Sequence, residues 1–368
     1  MYVTMVDFGV CTVAHSIVNT IERSPAMTPV SSAPGGRRVS MADVAAHAGV
    51  SSQTVSRVSN DSSKVSEPTR DKVLQSMRDL GYRPNSAARA LKRGHFRTLG
   101  IITFTMTTYG NVRTIDAIAQ AAAGAGYATT LLPVRVPTQR SVHRAFGRLE
   151  ELAVDAVIVI METNLRDSDH LILPPGMPVV VVDADHGAGT YGVDADQVAG
   201  ARKVTEHLLN LGHETVWHIA GPQASHAARR REEAWRASLE VAGRAAPPAI
   251  RGDWTARSGY EAGLQLPAGA ECTAVFCAND QMALGLYRAL RQTGRRIPQD
   301  VSVVGFDNIE DSDSFDPPLT TIDQDFEELG RECVEEVMEQ LRDPTMPSRR
   351  PVVRTRLVVR DSTAAPAK

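Results

Sequence analysis

The sequence predicts an α/β protein in which a small all-helical unit precedes a larger body of parallel sheets arranged in two lobes. Residues 41–81 hold three short helical patterns, and a glycine turn separates the first two. From Thr98 onward, apolar strand-like runs alternate with amphipathic helical segments, which is typical of parallel sheets covered on both faces. The length of 368 residues also exceeds what one hydrophobic core usually supports.

The first helical pattern begins at Ser40, which forms a capping-box pattern with Asp43, and it ends at Gly49. Ser51 or Ser52 is suited to cap the second helix, which extends to residue 59. The third helix is predicted from residue 66 to residue 81. Residues 1–37 are predicted to be a disordered leader because residues 24–38 are rich in Ser, Pro and Gly.

Four side chains lie on the outer face of the second helix: Ser52, Gln53, Ser56 and Arg57. Gln is shaped to pair with an adenine edge and Arg with guanine, so this face suits the major groove of DNA. The alternative is a structural three-helix bundle whose Gln and Arg are merely solvated.

Charge favours the DNA-binding interpretation. The net charge of −3 conceals twelve basic and five acidic residues between Arg37 and Arg97, a local charge of +7. The chain after Arg97 carries −9 and residues 1–36 carry −1. A basic segment beside an acidic body is typical of a nucleic-acid-binding module joined to a soluble partner domain.

The composition also argues against several classes of protein. No apolar run approaches the ~18–20 residues of a membrane helix, so no membrane partner is expected. Asp7 interrupts the only candidate export signal, and the first basic residue is Arg23. The four cysteines lack metal spacing; buried free thiols are favoured over a Cys272–Cys277 pair. A reduced, cytoplasmic protein without metal or cofactor is therefore expected.

The body is predicted to contain seven strands and four main helices. The predicted strands are Leu99–Phe104, Tyr127–Leu132, Ala156–Met161, Val179–Asp183, Thr215–Ala220, Thr273–Ala278 and Val301–Phe306. The predicted helices are Asp116–Ala125, Ala195–Leu211, Arg230–Ala242 and Asp280–Thr293. Ligands of such folds bind at the carboxyl ends of the strands.

Polar side chains follow several of these strands. Asp183, Asn279 and Asp307 come directly after apolar runs, and Trp254 adds an aromatic plane. Carboxylates and amides around an aromatic ring are suited to bind a sugar. Each residue also has a structural alternative, since an Asp after a strand often caps the next helix and a Trp often lies in the core.

The stretch from Met41 to Asn60, MADVAAHAGVSSQTVSRVSN, resembles the DNA-binding headpiece of the lac repressor (LacI) family. The resemblance continues through 65–70 and 81–91, and it implies a helix-turn-helix domain at 38–84 and a hinge helix with linker at 85–96. It implies base contacts by Ser52, Gln53 and Arg57. Ser52 stands where the repressor after which the family is named has a tyrosine, so the operator sequence of that repressor is not expected to transfer directly. It implies phosphate contacts by Ser51, Thr54, Asn60, Lys64, Ser66 and Thr69, and it adds Asn85, Ala88 and Leu91 to the DNA-binding set. Leu91 would wedge into the minor groove.

The body is similar to the regulatory core of the same family, from Leu211-Gly-His to the segment Pro317–Phe326. The resemblance implies a two-lobed, periplasmic-binding-protein-like core at 97–368. One lobe is expected from 97–194 plus about 325–353, and the other from 195–324 plus about 354–362. The implied effector-binding residues are Asp183, Arg231, Trp254, Asn279, Asp307, Gln324 and Phe326. A galactoside-like sugar is the expected effector.

These features predict a homodimeric repressor of carbohydrate-utilisation genes that a small sugar releases from a palindromic operator. The residues from Arg360 to Lys368 contain no leucine heptad, so a dimer is expected and not a tetramer. An enzyme is disfavoured because the sequence has no phosphate-binding glycine fingerprint and no nucleophile elbow. A sugar-binding protein without a DNA role does not explain the basic headpiece. An activator or a co-repressed regulator remains the open alternative.

Overall fold

The computed structural model describes residues 39–60, 62–83, 94–168, 171–183 and 191–367. The chain separates into two compact units, Met1–Asn85 and Ser86–Lys368. The predicted leader at 1–37 and the predicted hinge residues Asn85, Ala88 and Leu91 lie outside the described residues.

The first unit contains three helices, as predicted: α1 (Met41–Ala48), α2 (Ser52–Ser59) and α3 (Glu67–Asp79). The capping box forms at Ser40, whose backbone N–H donates to Asp43 Oδ2 at 2.8 Å while Asp43 N–H donates to Ser40 Oγ at 3.3 Å. Gly49 ends α1 at φ 62°, a left-handed conformation that glycine adopts without strain. Valine and alanine side chains from all three helices form the core of this unit. The unit is therefore held by apolar packing beneath a polar surface.

Within the described residues, the second unit contains two parallel sheets and one short antiparallel pair. The strands are β1 (Thr98–Thr103), β2 (Ala128–Pro133), β3 (Ala156–Ile160), β4 (Val179–Val182), β5 (Tyr191–Ala195), β6 (Trp217–Ala220), β7 (Ile250–Arg251), β8 (Ala274–Cys277), β9 (Ser302–Val304), β10 (Thr321–Asp323), β11 (Val352–Val353) and β12 (Arg356–Val358). The six-stranded sheet has the order β11-β5-β4-β3-β1-β2, the four-stranded sheet has the order β7-β6-β8-β9, and β10 pairs with β12. The helices are α4 (Tyr109–Gly124), α5 (Gln139–Glu151), α6 (Gln197–Asn210), α7 (His226–Val241), α8 (Ala256–Gly263), α9 (Asp280–Gln292) and α10 (Phe326–Arg342).

Apolar cores cover both faces of each sheet, which confirms the predicted two-lobed α/β body. Every residue of β4 is buried, as expected for a central strand covered by helices on both sides. The chain crosses between the two sheets after β5, after β10 and between β11 and β12. These crossings place the carboxyl ends of both sets of strands on one cleft.

The sequence did not predict five short strands (β5, β7, β10, β11 and β12) or the first two turns of α4, and helices α5, α8 and α10 were not among the predicted segments. Each of these strands has two to five residues, and its partner lies elsewhere in the chain, so its pairing leaves no periodic signal. The start of α4 at Tyr109 lies in a polar stretch without apolar periodicity. Tyr109 also lines the cavity described below, so its omission affected the prediction of the site.

The thiols of Cys272, Cys277 and Cys333 are free and buried, as favoured from the sequence. Burial raises the pKa of Cys272 to about 11, so this thiol stays protonated at neutral pH. Within the described ranges, none of the helices is both long and apolar enough to cross a membrane.

Helices α8 and α9 pack backbone against backbone because glycines face each other across their contact. A Cβ at Gly285 would lie 1.8 Å from the carbonyl oxygen of Ala256, and a Cβ at Gly259 would lie 2.1 Å from the carbonyl oxygen of Met282. Neither backbone oxygen can move independently of its helix. The contact therefore requires glycine on both sides.

We expect Gly285→Ala to lower the free energy of unfolding by about 3 kcal/mol, because the added methyl group forces the two helices apart. Gly124→Ala is the matched control, since Gly124 is also helical and a Cβ there would meet no atom within 4 Å. The control should change stability by less than about 1 kcal/mol. Urea unfolding of both variants measures the difference, and equal stabilities would contradict the proposed backbone contact.

Candidate functional site

All seven predicted effector-binding residues line one cavity in the second unit. The space inside it is about 520 Å³, part of which is open to solvent. The lining is Thr108, Tyr109, Gly110, Asn111, Glu162, Asp183, Ser225, Ala227, Arg231, Trp254, Asn279, Asp307, Gln324 and Phe326. Glu162 and Asp183 follow strands of the six-stranded sheet, whereas Asn279 and Asp307 follow strands of the four-stranded sheet. The cavity therefore lies where the strand ends of the two lobes meet, as the strand-end rule predicts.

Arg231 of α7 is the buried cation of the cavity. Its Nε–H donates to Gln197 Oε1 at 2.8 Å, and an Nη1–H donates to the carbonyl of Ala278. Its Nη2 lies 3.7 Å from Asp307 Oδ1. The guanidinium also lies 3.7 Å from the centre of the Phe306 ring, which adds a cation–π contact. These contacts offset the cost of removing a full charge from water.

Two glutamines connect Arg231 to Asp307 by a second route. Gln197 Nε2 donates to Gln324 Oε1 at 2.8 Å, and Gln324 Nε2 donates to Asp307 Oδ1 at 2.6 Å. The four side chains form a closed ring of polar contacts, hereafter the amide ring. Burial raises the pKa of Asp307 to about 6, although Arg231 and the bond from Gln324 act in the opposite direction. Sequence reasoning missed Gln197, because it lies at the start of a helix and not after an apolar run.

Trp254 forms one wall of the cavity in a conformation that its neighbours impose. Its φ of 75° is in the left-handed region, and the Nδ2–H of Asn279 donates to its carbonyl at 3.1 Å. A Cβ at Gly221 would lie 2.4 Å from the indole ring, so only glycine leaves room for the ring there. Asn279 Oδ1 accepts from the N–H of Met282 at 2.9 Å and caps α9. Asn279 therefore has the structural role that the sequence left open, and it also borders the cavity.

Phe326 forms a second apolar surface, at the first residue of α10. Its ring meets that of Tyr109 edge to face, with centroids 6.1 Å apart. Tyr109 begins α4, which sequence reasoning started too late, so this partner was missed. Two aromatic rings and several polar groups thus border the same space.

Two carboxyl groups lie together on the side of the first lobe. Burial raises the pKa of Glu162 to about 8, and Asp183 contributes in the same direction. Burial, with Asp194, raises the pKa of Asp183 to about 6. Oδ1 of Asp183 is buried without a hydrogen-bond partner among the described residues. Glu162 follows β3 as Asp183 follows β4, so the strand-end signal that predicted Asp183 could also have found Glu162.

In the first unit, Ser52, Gln53 and Arg57 are exposed on α2, and the buried side chains of Val55 and Val58 lie on its other face. The predicted phosphate-binding residues lie at the ends of α2 and α3. Ser51 and not Ser52 caps α2, since Thr54 N–H donates to Ser51 Oγ at 3.2 Å. Among the other predicted phosphate-binding residues, Asn60 Nδ2 donates to Ser56 Oγ at 3.4 Å, and the hydroxyl oxygens of Ser66 and Thr69 lie 3.0 Å apart. The Lys64 side chain is exposed. The outer face of α2 is thus available to a macromolecular partner.

A basic helix-turn-helix unit joined to a two-lobed α/β body with a polar cavity defines a ligand-responsive transcription regulator. Residues 40–85 match the family model described as bacterial regulatory proteins, lacI family, and residues 205–363 match the periplasmic binding protein-like domain. The lactose operon repressor of Escherichia coli (strain K12) is 35% identical over 89% of this chain and 91% of its own length. The ribose operon repressor of the same strain is 32% identical over 84% of this chain and 95% of its own length.

A solved structure of the lac repressor dimer bound to operator and the anti-inducer ONPF matches with a TM-score of 0.77 at 32% identity. The match covers 89% of this chain and 100% of the solved chain. The chain belongs to the lacI family of bacterial regulatory proteins, as the headpiece and core resemblances predicted. Its relatives are repressors, and it is accordingly a regulator and not an enzyme.

We expect Glu162→Gln to stabilise the effector-free protein more at pH 8 than at pH 5. The pKa of Glu162 is raised from 4.5 to about 8, so the folded state retains a proton that the unfolded chain loses near pH 4–5. The free energy of unfolding of the natural protein therefore falls as pH rises through this window. Glutamine cannot ionise, so the gain should grow by about 1–3 kcal/mol between the two pH values.

Urea unfolding at pH 5 and pH 8 measures this gain. Glu233→Gln is the matched control, because Glu233 is exposed on α7 and outside the cavity. The change in the free energy of unfolding caused by Glu233→Gln should be the same at pH 5 and at pH 8. A gain from Glu162→Gln that does not change with pH would contradict the raised pKa.

Proposed function

We propose that this chain is a cytoplasmic homodimeric repressor of carbohydrate-utilisation genes, released from a palindromic operator by a small galactoside-like sugar. The observation that carries the proposal is the convergence of Asp183, Arg231, Trp254, Asn279, Asp307, Gln324 and Phe326 on one cavity. Family membership and the lactose and ribose operon repressors among its relatives support the gene class.

The chemistry of the cavity suits a sugar. Trp254 and Phe326 offer apolar planes to the C–H face of a pyranose ring. Asp183 offers carboxylate oxygens to hydroxyl donors, and its Oδ1 has no partner among the described side chains and backbone. The galactoside class rests on the similarity of these residues to the sugar-sensing branch of the family.

The DNA-binding half of the proposal assigns roles by position. Ser52, Gln53 and Arg57 read base edges, with Ser56 beside them on the same face, and the flanking set of Ser51, Thr54, Asn60, Lys64, Ser66 and Thr69 holds phosphates. Asn85, Ala88 and Leu91 complete the DNA-binding set, with Leu91 as the minor-groove wedge. The relative solved as a dimer on operator supports a homodimer on a palindromic site.

Coupling between the two halves requires an effector that binds two states of the core with different affinity. We assign the lobes to 97–194 plus about 325–353 and 195–324 plus about 354–362. The amide ring joins Gln197 and Gln324, which lie beside two of the interlobe crossings, to Arg231 and Asp307. The ring lies within the second of these lobes, whereas Glu162 and Asp183 line the cavity from the first. A sugar that contacts both sides favours one lobe angle over another, with a typical coupling of about 1–3 kcal/mol.

The deciding experiment is a titration of the purified protein with a sugar panel while operator release is followed. The operator is a palindrome selected in vitro. A sugar that binds and releases DNA supports the inducible repressor. A sugar that binds and tightens DNA binding would instead identify a co-repressed regulator. Binding without any change in operator affinity would contradict the coupling.

We expect Arg57→Ala to weaken operator binding by roughly 1–3 kcal/mol and to relax specificity at one base pair. Arg78→Ala is the matched control, since Arg78 is also exposed and basic but lies on α3. The control removes the same charge and should keep the operator preference. Selection of binding sites by both variants measures the effect, and an unchanged preference for Arg57→Ala would contradict its base-reading role.

We expect Trp254→Ala to leave operator binding within about twofold of the natural protein and to abolish release by sugar, because the ring forms the cavity wall and lies outside the DNA-binding unit. Trp217→Phe is the control, because the Trp217 indole donates to the carbonyl of Glu271 outside the cavity. Induction that survives in Trp254→Ala would place the effector elsewhere.

A further inference from the structure

Acidic side chains outnumber basic side chains around the cavity. Among the described lining residues, Glu162, Asp183 and Asp307 supply three carboxyl groups, whereas Arg231 is the only basic side chain. Carboxylates also accept hydrogen bonds from the hydroxyl groups of a neutral sugar, but a neutral sugar brings no charge to balance this excess of acidic groups. The arrangement of these four groups shows which of them remain free for a ligand.

Arg231 is already engaged by the protein. Its Nε and Nη1 donate to Gln197 and to the carbonyl of Ala278, and its Nη2 faces Asp307. The Phe306 ring also contacts the guanidinium. Its positive charge is therefore matched by Asp307 and is not available as an unpaired anchor for an anionic ligand.

Glu162 and Asp183 have no comparable partner. Within the described part of the chain, the Glu162 carboxyl forms no hydrogen bond or ion pair, and its electrostatic neighbour is Asp183. Asp183 Oδ1 is likewise buried without a partner there. The nearby Arg230 lies 3.4 Å from Asp194 and is engaged with that carboxylate. Arg231 and Arg230 lower the pKa of Asp183 through space, but within the described residues neither forms an ion pair with Asp183 or Glu162. Two adjacent carboxyl groups thus face the cavity without a directly paired cation.

The backbone fixes both groups in place. The N–H of His226 donates to the carbonyl of Glu162 at 3.3 Å, and Thr163 forms a β-bridge with Ser225 of the other lobe. Asp183 is held at the end of β4 with φ 57°. Both carboxyl groups therefore belong to a built wall of the cavity, at the point where the lobes touch.

We propose that the cavity selects a sugar that carries a basic amine, with the ammonium against Glu162 and Asp183, and that it rejects phosphorylated sugars. This inference rests on the sugar-responsive function proposed above. An ammonium supplies three donors and a positive charge, so its approach lowers the pKa of both carboxyl groups and favours their ionised, acceptor form. A hydroxyl group would form hydrogen bonds but would not favour ionisation of the two carboxyl groups. A phosphate would place further negative charge beside two carboxyl groups.

The test is calorimetric titration of the full chain at pH 7 with sets of related hexoses. Each set holds a 2-amino sugar, its N-acetylated form, its neutral parent and its 6-phosphate, in the galacto, gluco and manno series. In at least one series the free amine should bind about tenfold or more tightly than the parent and the N-acetylated form. The phosphate should not bind. Operator release is measured on the same samples.

Glu162→Gln retains the size of the side chain and removes its ability to ionise. We expect it to reduce the preference for the amine over the neutral parent about fivefold or more. Asp183→Asn should reduce the same preference, which guards against one variant failing to fold. Glu233→Gln makes the same substitution at an exposed position of α7 outside the cavity, and it should leave the preference unchanged.

The outcomes separate this inference from the function on which it rests. A neutral or N-acetylated hexose that binds as tightly as the amine and releases DNA overturns the inference and supports the sugar-responsive repressor. A 6-phosphate that binds best also overturns it. If no sugar binds, both the inference and the sugar response fail, while operator affinity in the same samples still tests the DNA-binding function. An amine preference that survives in both carboxyl variants overturns the assigned contact.

Discussion

The burial of Arg231 is the constraint on which the cavity depends. Arg231 is 4% exposed, so its guanidinium has to be satisfied on every side, and its partners come from three parts of the chain that are distant in sequence. The carbonyl of Ala278, the amide of Gln197, the carboxylate of Asp307 and the ring of Phe306 each take one direction. Removing one partner would leave a buried charge uncompensated, which is far more costly than losing an exposed ion pair.

The same requirement orders the residues around it. Gln324 lies between Gln197 and Asp307, so its orientation follows from the charges at the two ends of the amide ring. Gln197 follows β5 and Gln324 follows β10, so the amide ring adjoins two of the crossings between the sheets. The cavity is thus connected to the elements that link the lobes, and this is what a ligand-responsive regulator requires.

Glycine residues allow close packing against the aromatic rings around the cavity. Gly221 leaves room for the ring of Trp254, and a Cβ at Gly200 would lie 2.7 Å from the ring of Phe306. Phe306 is also the ring beneath Arg231, so the packing of α6 affects how the cation is held. Shape and charge around the cavity therefore depend on each other, and a substitution in one is expected to disturb the other.

The sequence by itself determined the family, the fold class, the three helices of the headpiece and seven residues that meet in the cavity. Local signals predicted the fold class, the helices and part of the cavity: a capping Ser40, a turn at Gly49, apolar runs such as Val179–Val182, and polar residues directly after strands. The family resemblance implied the further cavity residues Arg231, Gln324 and Phe326. Only the tertiary structure decided that Gln197 completes the amide ring, that Asn279 caps a helix while holding Trp254, and that Glu162 lies beside Asp183. The physical reason is that hydrophobic periodicity and helix caps depend on residues only a few positions apart in the chain. Burial of a charge and the pairing of short strands depend on segments up to about 160 residues apart, which meet only when the lobes fold.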